Sequence, residues 1–430
     1  MRREVLCFLL LMFCVVNLKA QNNYFNKLVK ELADDKYNGR GYTYDGMRKA
    51  SAYLSNEFKS IGLKPFTPNY YQQVKFPINI IEEASLKLNG KDLIYGKDYI
   101  VKPSSKSVSS NQKLDIYYFP VEDYIESFQS NQKTKDFVIN DYYNQKGKNI
   151  ILPPIQTKVD SIGKYYKQWA NNYETEVNDD RAVFRFVSDS LTASLSQRQA
   201  NVAEFVIKEK HFKNDLIIDD FSVKTTFKSD FEFNNVIGYL DGENNDSVIV
   251  ITSHYDHLGR VGNAIFPGAS DNASGTAMVL DLAKYYSKHK PKYKMVFMLF
   301  GAEEAGIVGS FNYVENPLFD LGQIKFLVNL DIMGAGEEGI QVVNGTKYKS
   351  EFDQLVRINQ NQKLLKQVKV RGESCNSDHC PFDKKGVPSF FIYTLGGKGN
   401  YHNIYDTYSN LDLSNAPKVK QLLISFVNKL

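Results

Sequence analysis

Three continuous apolar runs between Val248 and Asp331 limit what this chain can fold into more than any other feature. They are VIVITSHYDH (248–257), KMVFMLFGAEE (294–304) and IKFLVNLDIMG (324–334). None alternates polar with apolar residues, so each reads as a strand buried on both faces. NVIGYLDG and VPSFFIYT read as further strands. Between and after them, ASGTAMVLDLAKYYSKH, GIVGSFNYVEN, KSEFDQLVRINQNQKLL and LSNAPKVKQLLISFVNKL read as helices, the first capped by Asn272 or Ser274. Strands alternating with helices predict an α/β fold: a mainly parallel central sheet with helices on both faces. In such sheets ligands gather beyond the carboxyl ends of the strands.

The 430 residues leave room for more than this one domain. Residues 1–20 have a basic head (Arg2, Arg3), an apolar body from Val5 to Val16 and a small residue at the end, the pattern of a secretory signal peptide cleaved after Ala20. Secretion or a periplasmic location is therefore expected, and no later apolar stretch is long enough to span a membrane. FNKLVKELADD and GMRKASAYLSNEFKSIGL carry apolar residues at helical spacing, with Gly62 as a stop signal. From 74 to 233 short β-like runs (SLKLNG, LDIYYFP, NIILPPI, AVFRFVS, AEFVIKE) alternate with polar turns. The expected organisation is a main domain of 21–73 and 234–430, with an inserted, mostly β domain at 74–233. Net charge is only +4 and the basic residues are scattered, which argues against nucleic acid as a partner. After signal removal Cys375 and Cys380 remain. Five residues apart in an oxidising compartment, they are candidates for a disulfide, with two reduced thiols as the alternative.

The apolar runs end in residues that bind metals. His254, Glu304 and Asp331 stand at the three strand ends, Asp271 lies in the loop PGASDNASG (267–275), and His402 comes from NYHNIYDT (400–407). Five mixed imidazole and carboxylate ligands suit two divalent cations. Zinc leads, with cobalt or manganese as substitutes, because zinc accepts this donor mixture and leaves a position open for water. Glu303 and Glu304 are adjacent, so their side chains diverge: one is free to ligate and the other to act as a base. Asp256, two residues after His254, is positioned to orient its imidazole, and Asp406 to do the same for His402. His257 reads as structural or as part of the site rim, His211 as a surface residue, and His289 as solvent-exposed. Together these features point to a two-metal hydrolase.

SHYDHLG, GASDNASGTA, GAEEAGIVGS, NLDIMG, SDHCPF and YHNIYDT resemble the successive motifs of the M28 family of zinc aminopeptidases. The likeness is strong over 230–430 and looser over NGRGYTYDG and the helix to Gly62. It implies a secreted dinuclear zinc exopeptidase acting on peptides with a free N-terminus. It also implies that Asp271 bridges the two zincs, that His254 and Asp331 complete one, that Glu304 and His402 complete the other, and that Glu303 activates the water. Ser377, Asp378 and His379 match a family segment on the substrate side, and 74–233 stands where many members carry a protease-associated domain. Glutaminyl cyclases, which resemble this family and use one zinc, are the alternative, followed by carboxypeptidase or dipeptidase activity. A non-catalytic binding protein is disfavoured because all six residues are present.

Overall fold

The computed structural model describes residues 24–110, 115–130, 136, 139–142, 144–145, 147–155, 161–166 and 181–430. The expected signal segment, 1–20, lies outside them. Among the described residues no helix is long and apolar enough to cross a membrane. The chain separates into two compact units. One comprises Met1–Lys75, Glu232–Gly259 and Ile265–Leu430; the other comprises Phe76–Phe231 and Arg260–Ala264. The long strands Tyr71–Leu88 and Ile218–Leu240 carry the chain out of the first unit and back.

In the first unit, Asn244–His254 lies between Tyr293–Phe300 and Ile324–Leu330 and runs parallel to both, and Ser389–Leu395 adds a fourth parallel strand. The register pairs His254 with Phe300 and Thr252 with Asn329, so the strands finish together at one edge. Two flanking pairs are antiparallel: Ile218–Leu240, which contains NVIGYL, pairs with Tyr293–Phe300, and Gly339–Val343 pairs with Ser389–Leu395. The parallel reading therefore holds for the centre of the sheet, and the strands that flank this centre run antiparallel to the neighbours they pair with.

The absence of polar alternation has its counterpart in packing. Val248 and Val250 join a core with Tyr313, Val314 and Phe382, which come from the helices Val308–Glu315 and His379–Lys384. Ile249 and Ile251 point the other way by the strand's period of two and are equally buried. The helix Gly275–Tyr286 packs on these strands and is buried along most of its length. The helix Gly46–Ile61 ends at Gly62, whose left-handed backbone (φ 90°) lets its N–H reach the carbonyls of Phe58 and Lys59.

The second unit holds a five-stranded sheet in the order Tyr99–Val101, Ala203–Lys208, Ala182–Val187, Asn149–Leu152, Ile116–Tyr118. The last four strands are parallel. Parallel neighbours need crossovers, and the helix Val121–Ser130 lies in one of them. Phe119, Tyr124, Ile150 and Val183 belong to its buried core. His211 is not a free surface group: its Nε2 stands 3.0 Å from Asp98 Oδ1.

Candidate metal centre

The loops that leave the carboxyl edge of the sheet bring His254, Asp271, Glu303, Glu304, Asp331 and His402 into one buried cluster. His254 Nε2 lies 3.4 Å from Asp271 Oδ1 and 3.3 Å from Asp331 Oδ1. His402 Nε2 lies 3.1 Å from Asp271 Oδ2 and 2.9 Å from Glu304 Oε2. The two oxygens of Asp271 are thus divided between two groups of three. A tetrahedral zinc with bonds of about 2.0–2.1 Å has ligand–ligand edges of about 3.3 Å, which the separations around His254 match, while those around His402 are shorter and within hydrogen-bond range. The Oδ1 atom of Asp331 is buried and has no hydrogen-bond partner. An acceptor left bare in this way fits a cation position.

The charge balance points the same way. Burial opposes a proton on His402, yet Glu304 and Asp271 raise its pKa to about 11. Burial likewise opposes a charge on His254, and Asp331 and Glu303 override it, holding its pKa well above the usual imidazole value. Burial drives Glu303 well above the usual carboxyl range, an effect that His254 opposes and the carboxylates of Asp378 and Glu304 reinforce. Burial also pushes Glu304 up, but His402 and His257 outweigh it and bring its pKa down to about 2. So much negative charge in a dry pocket calls for positive charge, from protons or from metal ions.

Side chains close to the cluster hold it in place. Ser377 Oγ donates to Asp331 Oδ2 (3.0 Å) and accepts from Asn329 Nδ2 (2.8 Å), and Asn329 Oδ1 accepts from Thr252 Oγ1 on the neighbouring strand. The buried Asn272, joined to Asp271 by a cis peptide, donates to Ser253 and to the Leu330 carbonyl and accepts from the amides of Gly275 and Ile332. Of the two expected caps for the helix Gly275–Tyr286, Asn272 supplies the bond, while Ser274 Oγ donates to the Ser270 carbonyl instead.

Two expected roles are different in the folded chain. The Asp256 carboxylate stands 3.7 Å from His254 Nδ1, beyond hydrogen-bond range, and it is the Asp256 backbone carbonyl that lies at 3.3 Å. That carboxylate accepts the amides of Glu303 and Glu304 and the hydroxyl of Tyr42. The Asp406 carboxylate accepts the amides of Ser270 and Asp271 at 2.8 and 3.0 Å. The reason is common to both: a tight loop at a buried site leaves amides without backbone partners, and a buried carboxylate is their strongest acceptor. Asp378 accepts from Ser310 Oγ, and burial raises its pKa to about 7. His379 faces away from the cluster, toward the Ser374 carbonyl and the Phe391 ring, and burial lowers its pKa to about 4. Cys375 and Cys380 form a disulfide, Cα atoms 4.9 Å apart, around the segment that carries Ser377.

Sequence reasoning gave no role to Arg40. It is fully buried, and its guanidinium donates to the carbonyls of Tyr255, Leu32, Pro267 and Gly268 at 2.7–2.8 Å. It thereby ties the His254 loop to the Asp271 loop. The signal was the glycine on each side: a side chain at Gly39 would collide with the carbonyls of Gly259 and Phe266. Arg40→Met should leave four buried carbonyls short of a donor, destabilising the fold by roughly 3–5 kcal/mol. Lysine, lacking the planar fork, should not rescue it. Thermal unfolding of both variants tests this, and a wild-type melting temperature in Arg40→Met rules the clamp out.

Residues 235–427 match Peptidase family M28. Aminopeptidase YwaD of Bacillus subtilis is 29% identical over 164 residues, 36% of this chain and 34% of that protein. The chain thus spans about a third of that relative's length. A probable leucine aminopeptidase of Trichophyton verrucosum is 28% identical over 311 residues, 68% of this chain and 74% of that protein. A zinc aminopeptidase structure from Bacillus subtilis covers 95% of this chain and 94% of its own at 16% identity, with a TM-score of 0.67. A peptidase M28 precursor structure from Shewanella amazonensis gives 15% identity, 96% coverage of each chain and a TM-score of 0.62. The two structures share this fold.

Proposed function

This chain belongs to peptidase family M28 through residues 235–427, and from that premise we propose an exported aminopeptidase that binds two zinc ions and releases the N-terminal residue of peptides. The observation that carries this reading is the division of Asp271 between two ligand groups. His254 and Asp331 would hold one ion with Asp271, and Glu304 and His402 the other. Bound there, the ions would polarise the scissile carbonyl and make a water acidic enough to attack at neutral pH.

The chain's own residues do the rest. Glu303 belongs to neither ligand group, and its Oε2 is 3.9 Å from His254 Nε2. Burial raises its proton affinity, which suits a base that takes a proton from the attacking water at Oε2 and delivers it to the leaving amine. The acidic surroundings favour a substrate with a cationic α-amine over one with a free carboxylate, which speaks against a carboxypeptidase. Beside Asp271 a cavity of about 110 Å³, walled by Ile332, Ala335, Tyr401 and Leu411, offers space for the side chain of the released residue.

The test is a panel of N-terminal aminoacyl reporters and glutaminyl peptides, run with metal analysis before and after chelation. Release of N-terminal residues, lost with chelator and restored by zinc, is expected at about two metals per chain. Cyclisation of glutaminyl peptides without hydrolysis, at one metal per chain, would sink the proposal in favour of a cyclase.

A further inference from the structure

His257 is outside the ligand set that the resemblance implies, yet it is fully buried and stands with Asp271 and Glu304 in one group of side chains close enough to share a metal ion. Its Nδ1 lies 2.6 Å from Glu304 Oε1, while Glu304 Oε2 faces His402 at 2.9 Å. One carboxylate is therefore held on one side by an imidazole and presented on the other to the ligand group it shares with Asp271. A separation of 2.6 Å is a direct hydrogen bond and is shorter than a zinc coordination edge, about 3.3 Å. Glu304 is acceptor-only as a carboxylate, so the proton of this bond sits on Nδ1. The other ring nitrogen is buried with no hydrogen-bond partner.

The ring itself cannot drift. A side chain at Gly268 would run into it, which places the ring directly against that backbone. The His402 ring meets it edge-on at 5.7 Å, and the His257 amide donates to the Arg40 carbonyl. Resting on the two-zinc reading above, we propose that His257 is a positioning residue for the second zinc. Its Nδ1–H holds Glu304 Oε1, which makes Glu304 a one-oxygen ligand through Oε2 and keeps it turned away from Glu303. Groups that orient ligands in this way typically contribute about 10–100-fold to metal affinity.

The test is zinc titration and metal content of the full chain as wild type, His257→Ala and His257→Asn, each first checked for a cooperative thermal transition. Asparagine can place an N–H donor where Nδ1 stands, whereas alanine cannot. We expect wild type to hold two zincs. In His257→Ala one should bind about 10–100-fold more weakly while the other keeps its affinity, and His257→Asn should recover much of the loss. Two zincs of unchanged affinity in His257→Ala overturn the assignment, as does an asparagine variant no better than alanine. A wild-type chain that binds a single zinc overturns the two-zinc reading as well, so the two failures are told apart by the wild-type titration.

Discussion

Glu303→Gln should lower kcat for release of N-terminal residues by about 10²–10⁴-fold, equivalent to about 3–5 kcal/mol of transition-state stabilisation, while two zincs per chain remain bound. The substitution keeps the shape of the side chain and removes its ability to accept a proton. Glu303 is outside both ligand groups, and the Asp256 carboxylate holds the Glu303 and Glu304 amides regardless of the side chain at 303. Neither the ligand geometry nor the strand end therefore has reason to move. KM should change far less than kcat, because the base acts on the attacking water and not on the bound peptide. Steady-state kinetics paired with metal analysis decides the matter, and undiminished turnover would mean that the base is elsewhere.

Asp271→Ala should have the largest effect on metal binding. Each of the other ligands serves one group, whereas Asp271 gives one oxygen to His254 and Asp331 and the other to His402 and Glu304. Its loss should reduce bound zinc from about two per chain to fewer than one, and zinc should no longer raise the melting temperature. Asp331→Ala is the comparison: it should lose one zinc and keep the other. If Asp271→Ala holds two zincs with wild-type affinity, the shared-carboxylate arrangement is wrong. The loop backbone should survive the change, since Asp406 accepts the amides of residues 270 and 271 whatever side chain stands at 271.

The central strands and the candidate ligands were legible before any coordinates, for a physical reason in each case. A parallel strand covered on both faces must be apolar at every position, and Val248–Ile251 and Met295–Phe300 carry that signature in consecutive residues. Metal ligation admits few residue types, so a histidine or carboxylate just past an apolar run stands out. The antiparallel flanks were not legible, because strand direction is set by pairing partners and not by composition. Gly339–Val343 and Val368–Val370 are too short to give a periodic signal.

Spacing along the chain misled where the choice of a hydrogen-bond partner mattered. Asp256 and Asp406 sit two and four residues from histidines, yet their carboxylates serve amides 47 and more than 130 positions away. Arg40 reaches carbonyls more than 200 positions distant, and His257 meets Glu304 across 47. Which donors and acceptors must be satisfied is known only once burial has removed water from them. Local chemistry marked the strands and the candidate ligand types, and the resemblance supplied the proposed base. Only the tertiary structure gave Asp256 and Asp406 their amides, tied Arg40 to four buried carbonyls and set His257 against Glu304. Those pairings exist only where distant segments are folded against one another.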